Sequence, residues 1–84
     1  MLPEGFALIE IDYNDVNGEG LTSFRIKDVI FDGKLKPEQE VIAYQPEDGT
    51  YAPAVVKYVS YITFAGKIKV SWNDMKSYTV VENN

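Results

Sequence analysis

An all-β domain of about six short strands is the fold class this chain predicts, and three observations predict it. Apolar residues alternate with polar ones or are β-branched through almost every segment. Turn-forming residues interrupt the chain at short intervals. No segment carries a helical period of apolar residues, so an all-β barrel or sandwich is the packing that remains. With 84 residues there is room for one domain and one modest core. A chain of this size buries only about 60–65% of its unfolded surface, so its stability margin is narrow.

In order along the chain, Phe6 to Tyr13 reads as the first strand, with Ala7, Ile9, Ile11 and Tyr13 sharing a face. Residues 14–20 are rich in Asn, Asp and Gly and read as a loop. Leu21 to Phe31 returns as a second strand, and its alternation changes phase near Lys27-Asp28, as a bulge would cause. These two strands form an N-terminal β-hairpin over residues 6–31. After a lead-in through Pro37, Val41 to Tyr44 is a third strand. Tyr51 to about Tyr58, running on toward Phe64, is a fourth. Ala65-Gly66 is the expected tight connection. Lys67 to Trp72 follows, with Ile68, Val70 and Trp72 on one face. A short strand from Ser77 to Val81 closes the fold.

The net charge of −5 lies entirely in the first part of the chain. Residues 1–33 carry seven acids against Arg25 and Lys27, whereas residues 34–84 carry six acids and six lysines. Nucleic acid is disfavoured as a partner, because phosphate neutralisation needs a basic face. A basic protein or peptide is accommodated more readily. No apolar run approaches the roughly 20 residues that span a bilayer, so no membrane segment is expected. The start lacks a signal-peptide pattern, and there is no cysteine for a disulfide or a thiolate site. An intracellular location, cytoplasmic or nuclear, fits best.

Catalysis is not expected. Without histidine there is no histidine-based triad or histidine zinc site. Serines 23, 60, 71 and 77 have no activating context, and Glu10 with Asp12 reads as a solvated strand face. The loop at 12–19 superficially matches a calcium loop. With Gly18 in the sixth position, however, Tyr13 and Phe24 fall where carboxylates are required. No cofactor and no metal are expected.

The stretch from residue 41 to 54 is the most informative. A strand ends in Ala43-Tyr44, turns through Glu47-Asp48-Gly49, and returns with Tyr51 ahead of Ala54; Leu35 and Pro37-Glu38 precede it, and Val70-Ser71-Trp72 follows. Across residues 35–81 this pattern resembles Tudor-like domains of the SH3-like small-barrel class. There, an apolar residue and a Pro-Gly turn lead into a strand ending in alanine and an aromatic. An acidic-Gly turn and a third strand ending in an aromatic follow. Glu38 stands where the turn glycine is usual, and Tyr51 lies one residue earlier than the usual aromatic, where Ala52 stands. Strand alternation would turn Tyr51 to the opposite face. Asn73-Asp74-Met75 replaces an acidic-aromatic-Gly turn.

The resemblance implies a non-catalytic module that recognises a protein or peptide through a methylated or cationic side chain. Tyr44, Tyr51, Trp72 and Tyr78 would offer ring faces, each good contact contributing about 0.5–2 kcal/mol, and Asp48 or Asp74 the charge. The competing expectation is a structural or assembly module whose aromatics fill the barrel. It would dock into a larger complex or self-associate through its edge strands and the aromatic segment Tyr58, Tyr61, Ile62 and Phe64.

Overall fold

The computed structural model describes residues 5–12 and 18–78. Seven strands appear among them: β1 (Ala7–Glu10), β2 (Thr22–Arg25), β3 (Val29–Ile30), β4 (Glu40–Gln45), β5 (Thr50–Ser60), β6 (Ala65–Val70) and β7 (Lys76–Ser77). They form one mixed sheet in the order β2-β6-β5-β4-β1-β3, with β7 on β5. The domain is all-β as expected. The SH3-like topology is not reproduced, because β1 runs parallel to β4, pairing Ala7 with Val41 through Glu10 with Tyr44.

The expected N-terminal hairpin is divided. Where a bulge was expected, a single 3-10 turn at Ile26–Asp28 breaks the second strand into β2 and β3. The β3 half pairs with β1 at Leu8–Ile30 and Ile9–Val29, whereas β2 pairs with β6 at the far end of the sheet. That connection dictates the curl. Laid flat, five strand spacings would separate β2 from β3 by about 24 Å. The chain from Arg25 to Val29 reaches at most about 14 Å. The sheet therefore bends into a half-barrel whose two outer strands are held near one another by one turn.

Alternation chooses the inner face. Ala7, Ile9 and Ile11, Phe24, Val41 and Ala43, Ala52, Ala54 and Val56, Ile68 and Val70 are buried together, with Leu35 from the lead-in. Each large side chain buried this way contributes about 1.5–3 kcal/mol. Tyr13, expected on the same face, lies outside the described residues. The three alanines leave room where β4 and β5 cross the core. Pro53 is tolerated inside β5 because its carbonyl accepts from Ser71 just past the last β5–β6 pair, Ala54–Val70. Its nitrogen faces that same side, so only a bond at the end of the ladder is lost.

Two turns differ from expectation. The β5–β6 connection is Tyr61–Phe64, so Ala65 and Gly66 belong to the strand that follows. Phe64 itself adopts the left-handed region, at φ 56°. The bulge in this sheet lies between Val56 and Tyr58. At Pro37-Glu38, Glu38 takes φ 68°, the conformation a glycine would supply, and Gln39 donates its amide to the Lys36 carbonyl at 3.2 Å. The last strand is Lys76–Ser77, paired with Thr50 and Tyr51; the remainder of the expected 77–81 strand beyond Tyr78 is outside the described residues.

Candidate binding site

Alternation sends Tyr44 and Tyr51 outward, opposite the buried Ala43 and Ala52. The β4–β5 register makes them direct cross-strand partners, so Tyr51 shares a face with Tyr44 after all. On the other side of Tyr44, β1 places Glu10 alongside it. Tyr78 adds a second ring to Tyr51, with centroids 6.2 Å apart and planes tilted by 49°. Its amide anchors it by donating to the Gly49 carbonyl at 2.8 Å. Burial, then the charges of Glu10, Tyr78 and Asp28, raise the Tyr44 phenol above its ordinary value.

The other expected pocket residues are elsewhere. Trp72 lies in a second 3-10 turn, Trp72–Asp74, and packs against the core cluster. Asp48 accepts from Gln45 Nε2 at 2.8 Å and so holds the β4–β5 turn. Asp74 lines a shallow outer groove of about 510 Å³ with Phe6, Glu40, Tyr51, Pro53 and Lys76. No aromatic cage is formed among the described residues. The separation follows from packing: the only tryptophan is partly drawn into the core that a small sheet must fill.

A second feature was not anticipated. Among the described residues the β1–β3 pairing ends at Ile9–Val29, where the turn at Ile26–Asp28 begins, and β2 pairs with β6 alone. Between these two walls opens a cleft of about 550 Å³ at the seam of the half-barrel. Ile11 and Phe24 contribute apolar side chains to it. Its charged residues are Glu10, Asp12, Asp28 and Glu47, against Arg25 and Lys67. Four acids against two bases leave a formal excess of two negative charges. The sequence signal was the Glu10–Asp12 pair and the phase change at Lys27-Asp28, but nothing local tells that these two places meet.

The aromatic segment 58–64 also divides. Tyr61 folds back: its hydroxyl accepts the Leu35 amide at 2.6 Å, and the Lys34 ammonium lies 5.3 Å from its ring centre. Ile62 and Phe64 remain 91% and 62% exposed at the tip, and Tyr58 is 54% exposed beside the bulge. Among the described residues no group of three or more carboxylates gathers in a geometry that would hold a metal ion. In comparisons with known proteins, the chain matches no family model, no curated protein and no solved structure.

Proposed function

We propose that this chain is a non-catalytic module that recognises a protein or peptide through a cationic side chain received at the seam cleft. The observation that carries the reading is the cleft itself, in which Glu10 and Asp28 face a cavity with the apolar side chains of Ile11 and Phe24. The reading retains the cation–aromatic chemistry implied by the Tudor-like resemblance and moves it from a cage to the Tyr44 margin. Carboxylates beside a low-dielectric wall attract an ammonium more strongly than they do in open water. The Tyr44 ring adds about 0.5–2 kcal/mol where a cation reaches its face. The overall charge of −5 favours encounter with a basic partner.

Titration of the labelled protein with short peptides bearing lysine, trimethyl-lysine or norleucine at one position tests this. The cationic peptides are expected to shift resonances of Glu10, Asp28 and Tyr44, and the norleucine peptide to leave them unmoved. Equal binding by norleucine overturns the reading.

A second reading, an assembly module, is favoured by one observation: Ile62 stands almost fully exposed on an ordered tip. The Ser60 hydroxyl accepts the amides of Ile62 and Thr63, both at 3.2 Å, which pins that turn. Sedimentation at micromolar concentration, with Ile62→Lys as control, tests it. A monomer unaffected by the substitution counts against it.

A further inference from the structure

We infer that the seam cleft receives its partner as an extended strand, which adds to the edge of β2 that no described residue pairs; this rests on the reading above and deepens it.

The direction of the backbone groups carries the inference. The Ile26 amide donates to the Phe64 carbonyl at 2.9 Å, which extends the β2–β6 ladder by one pair. Backbone groups along a strand point alternately to either side. Thr22, Phe24 and Ile26 therefore face β6, and Ser23 and Arg25 face the cleft. On the opposite wall the Ile11 amide donates to the Tyr44 carbonyl at 3.0 Å. Ile9 and Ile11 thus face β4, while Leu8 and Glu10 face the other way. The Leu8 side is taken by β3, whose last partner on β1 is Ile9. Because the Ile9 groups face β4, Ile9–Val29 is a non-hydrogen-bonded pair, and the next bonded position on that edge sets Glu10 opposite Asp28.

The cleft therefore presents outward-directed backbone groups on one wall, from Ser23 and Arg25, while Glu10 and Asp28 line the other. The turn at Ile26–Asp28 holds those walls together at one end. An exposed edge of this kind is a template for strand addition, in which main-chain bonds supply affinity and alternate side chains supply selectivity. Alternation also specifies the occupant. Side chains on the inner side of the added strand meet Ile11 and Phe24, and those on the outer side lie between Arg25 on β2 and Glu10 with Asp28 across the cleft. An alternating apolar and basic segment satisfies both, and the excess of acids over bases around the cleft favours it.

The probe is the blocked pentapeptide Val-Lys-Val-Lys-Val, compared with the same peptide N-methylated at both lysines, each titrated into the labelled chain. Strand addition predicts that N-methylation weakens binding at least about tenfold, since it removes main-chain donors and keeps every charge. It also predicts slowed hydrogen exchange at the Ser23 and Arg25 amides in the complex. Ser23→Pro removes an amide that faces away from β6, so the fold is retained and affinity falls about tenfold. Equal affinity for the two peptides overturns strand addition and leaves cation recognition standing. No binding of either peptide at millimolar concentration overturns both. Protection of Ser23 and Arg25 in the free protein also overturns strand addition, because the seam is then already filled.

Discussion

The β4–β5 ladder and the β1–β2 seam are built from equally alternating sequence, yet one is closed and the other open. In the ladder, six consecutive pairs run from Glu40–Val55 to Gln45–Thr50 across a short turn. At the seam, the strand following β1 parts company after two pairs, because the turn at Ile26–Asp28 redirects it to β6. Closure satisfies backbone groups within the chain, and the open seam leaves them directed into a cleft. The proposed binding site thus lies where pairing was given up, next to a ladder in which it was completed.

The largest expected effect comes from breaking the closed wall that supports the seam. Gly66 is buried on β6, and a Cβ there would lie 2.6 Å from the Phe24 ring and closer still to the Tyr58 carbonyl oxygen. Gly66→Ala is expected to cost about 3 kcal/mol by displacing Phe24, whose ring helps line the cleft. Urea denaturation measures the loss; a change below about 1 kcal/mol would show that β2 is not seated by this contact.

Thr22 sharpens the comparison in the opposite direction. Its hydroxyl is fully buried in the edge strand and has no hydrogen-bond partner among the described residues. Thr22→Val removes that group at nearly constant shape and is expected to stabilise the domain by about 1 kcal/mol. An unchanged or lowered midpoint would mean that the hydroxyl is satisfied.

At the margin between the two regions, Tyr44 predicts a pH dependence. Its phenol is raised in the folded state, so the folded form holds that proton more tightly than the unfolded chain does. The contribution is fully present below about pH 10 and is lost as pH rises past that value. Stability measured at pH 9 and pH 11 should therefore fall further in the wild type than in Tyr44→Phe. Equal losses would show that neither burial nor the neighbouring charges raise the Tyr44 phenol on folding.

The smallest effect belongs at the exposed end of the β4–β5 ladder. The Lys57–Glu38 pair at 3.0 Å is exposed, and Glu38→Gln is expected to cost less than about 0.5 kcal/mol. A larger loss in thermal denaturation would reveal that the Pro37-Glu38 turn depends on the charge.

Much of the strand content was legible because alternation is a local property. Ile9 and Ile11, and Ile68 and Val70, were read as sharing a face without knowing their neighbours, and all four are buried. Turns were read less well. Ala65-Gly66 drew the β5–β6 connection to the glycine, whereas Phe64 takes the left-handed conformation and Gly66 is needed for close packing under Phe24. Of the expected binding residues, Tyr44, Tyr51 and Tyr78 came together because register across one turn aligns them. Trp72 did not, because it packs against the core instead.

Taken alone, the amino-acid sequence determined the all-β class, the inward faces of the first strand and of Ile68 and Val70, and the tight turn between Tyr44 and Tyr51, though not that the two rings share a face. Each depends on residues close in the chain, where alternation and turn chemistry act directly. Only the tertiary structure decided that β1 runs parallel to β4, that one strand is split between opposite ends of the sheet, and that Glu10 and Asp28 face one cleft. Those outcomes depend on which strands pair, and pairing is a competition among distant segments for the same backbone groups and the same small core.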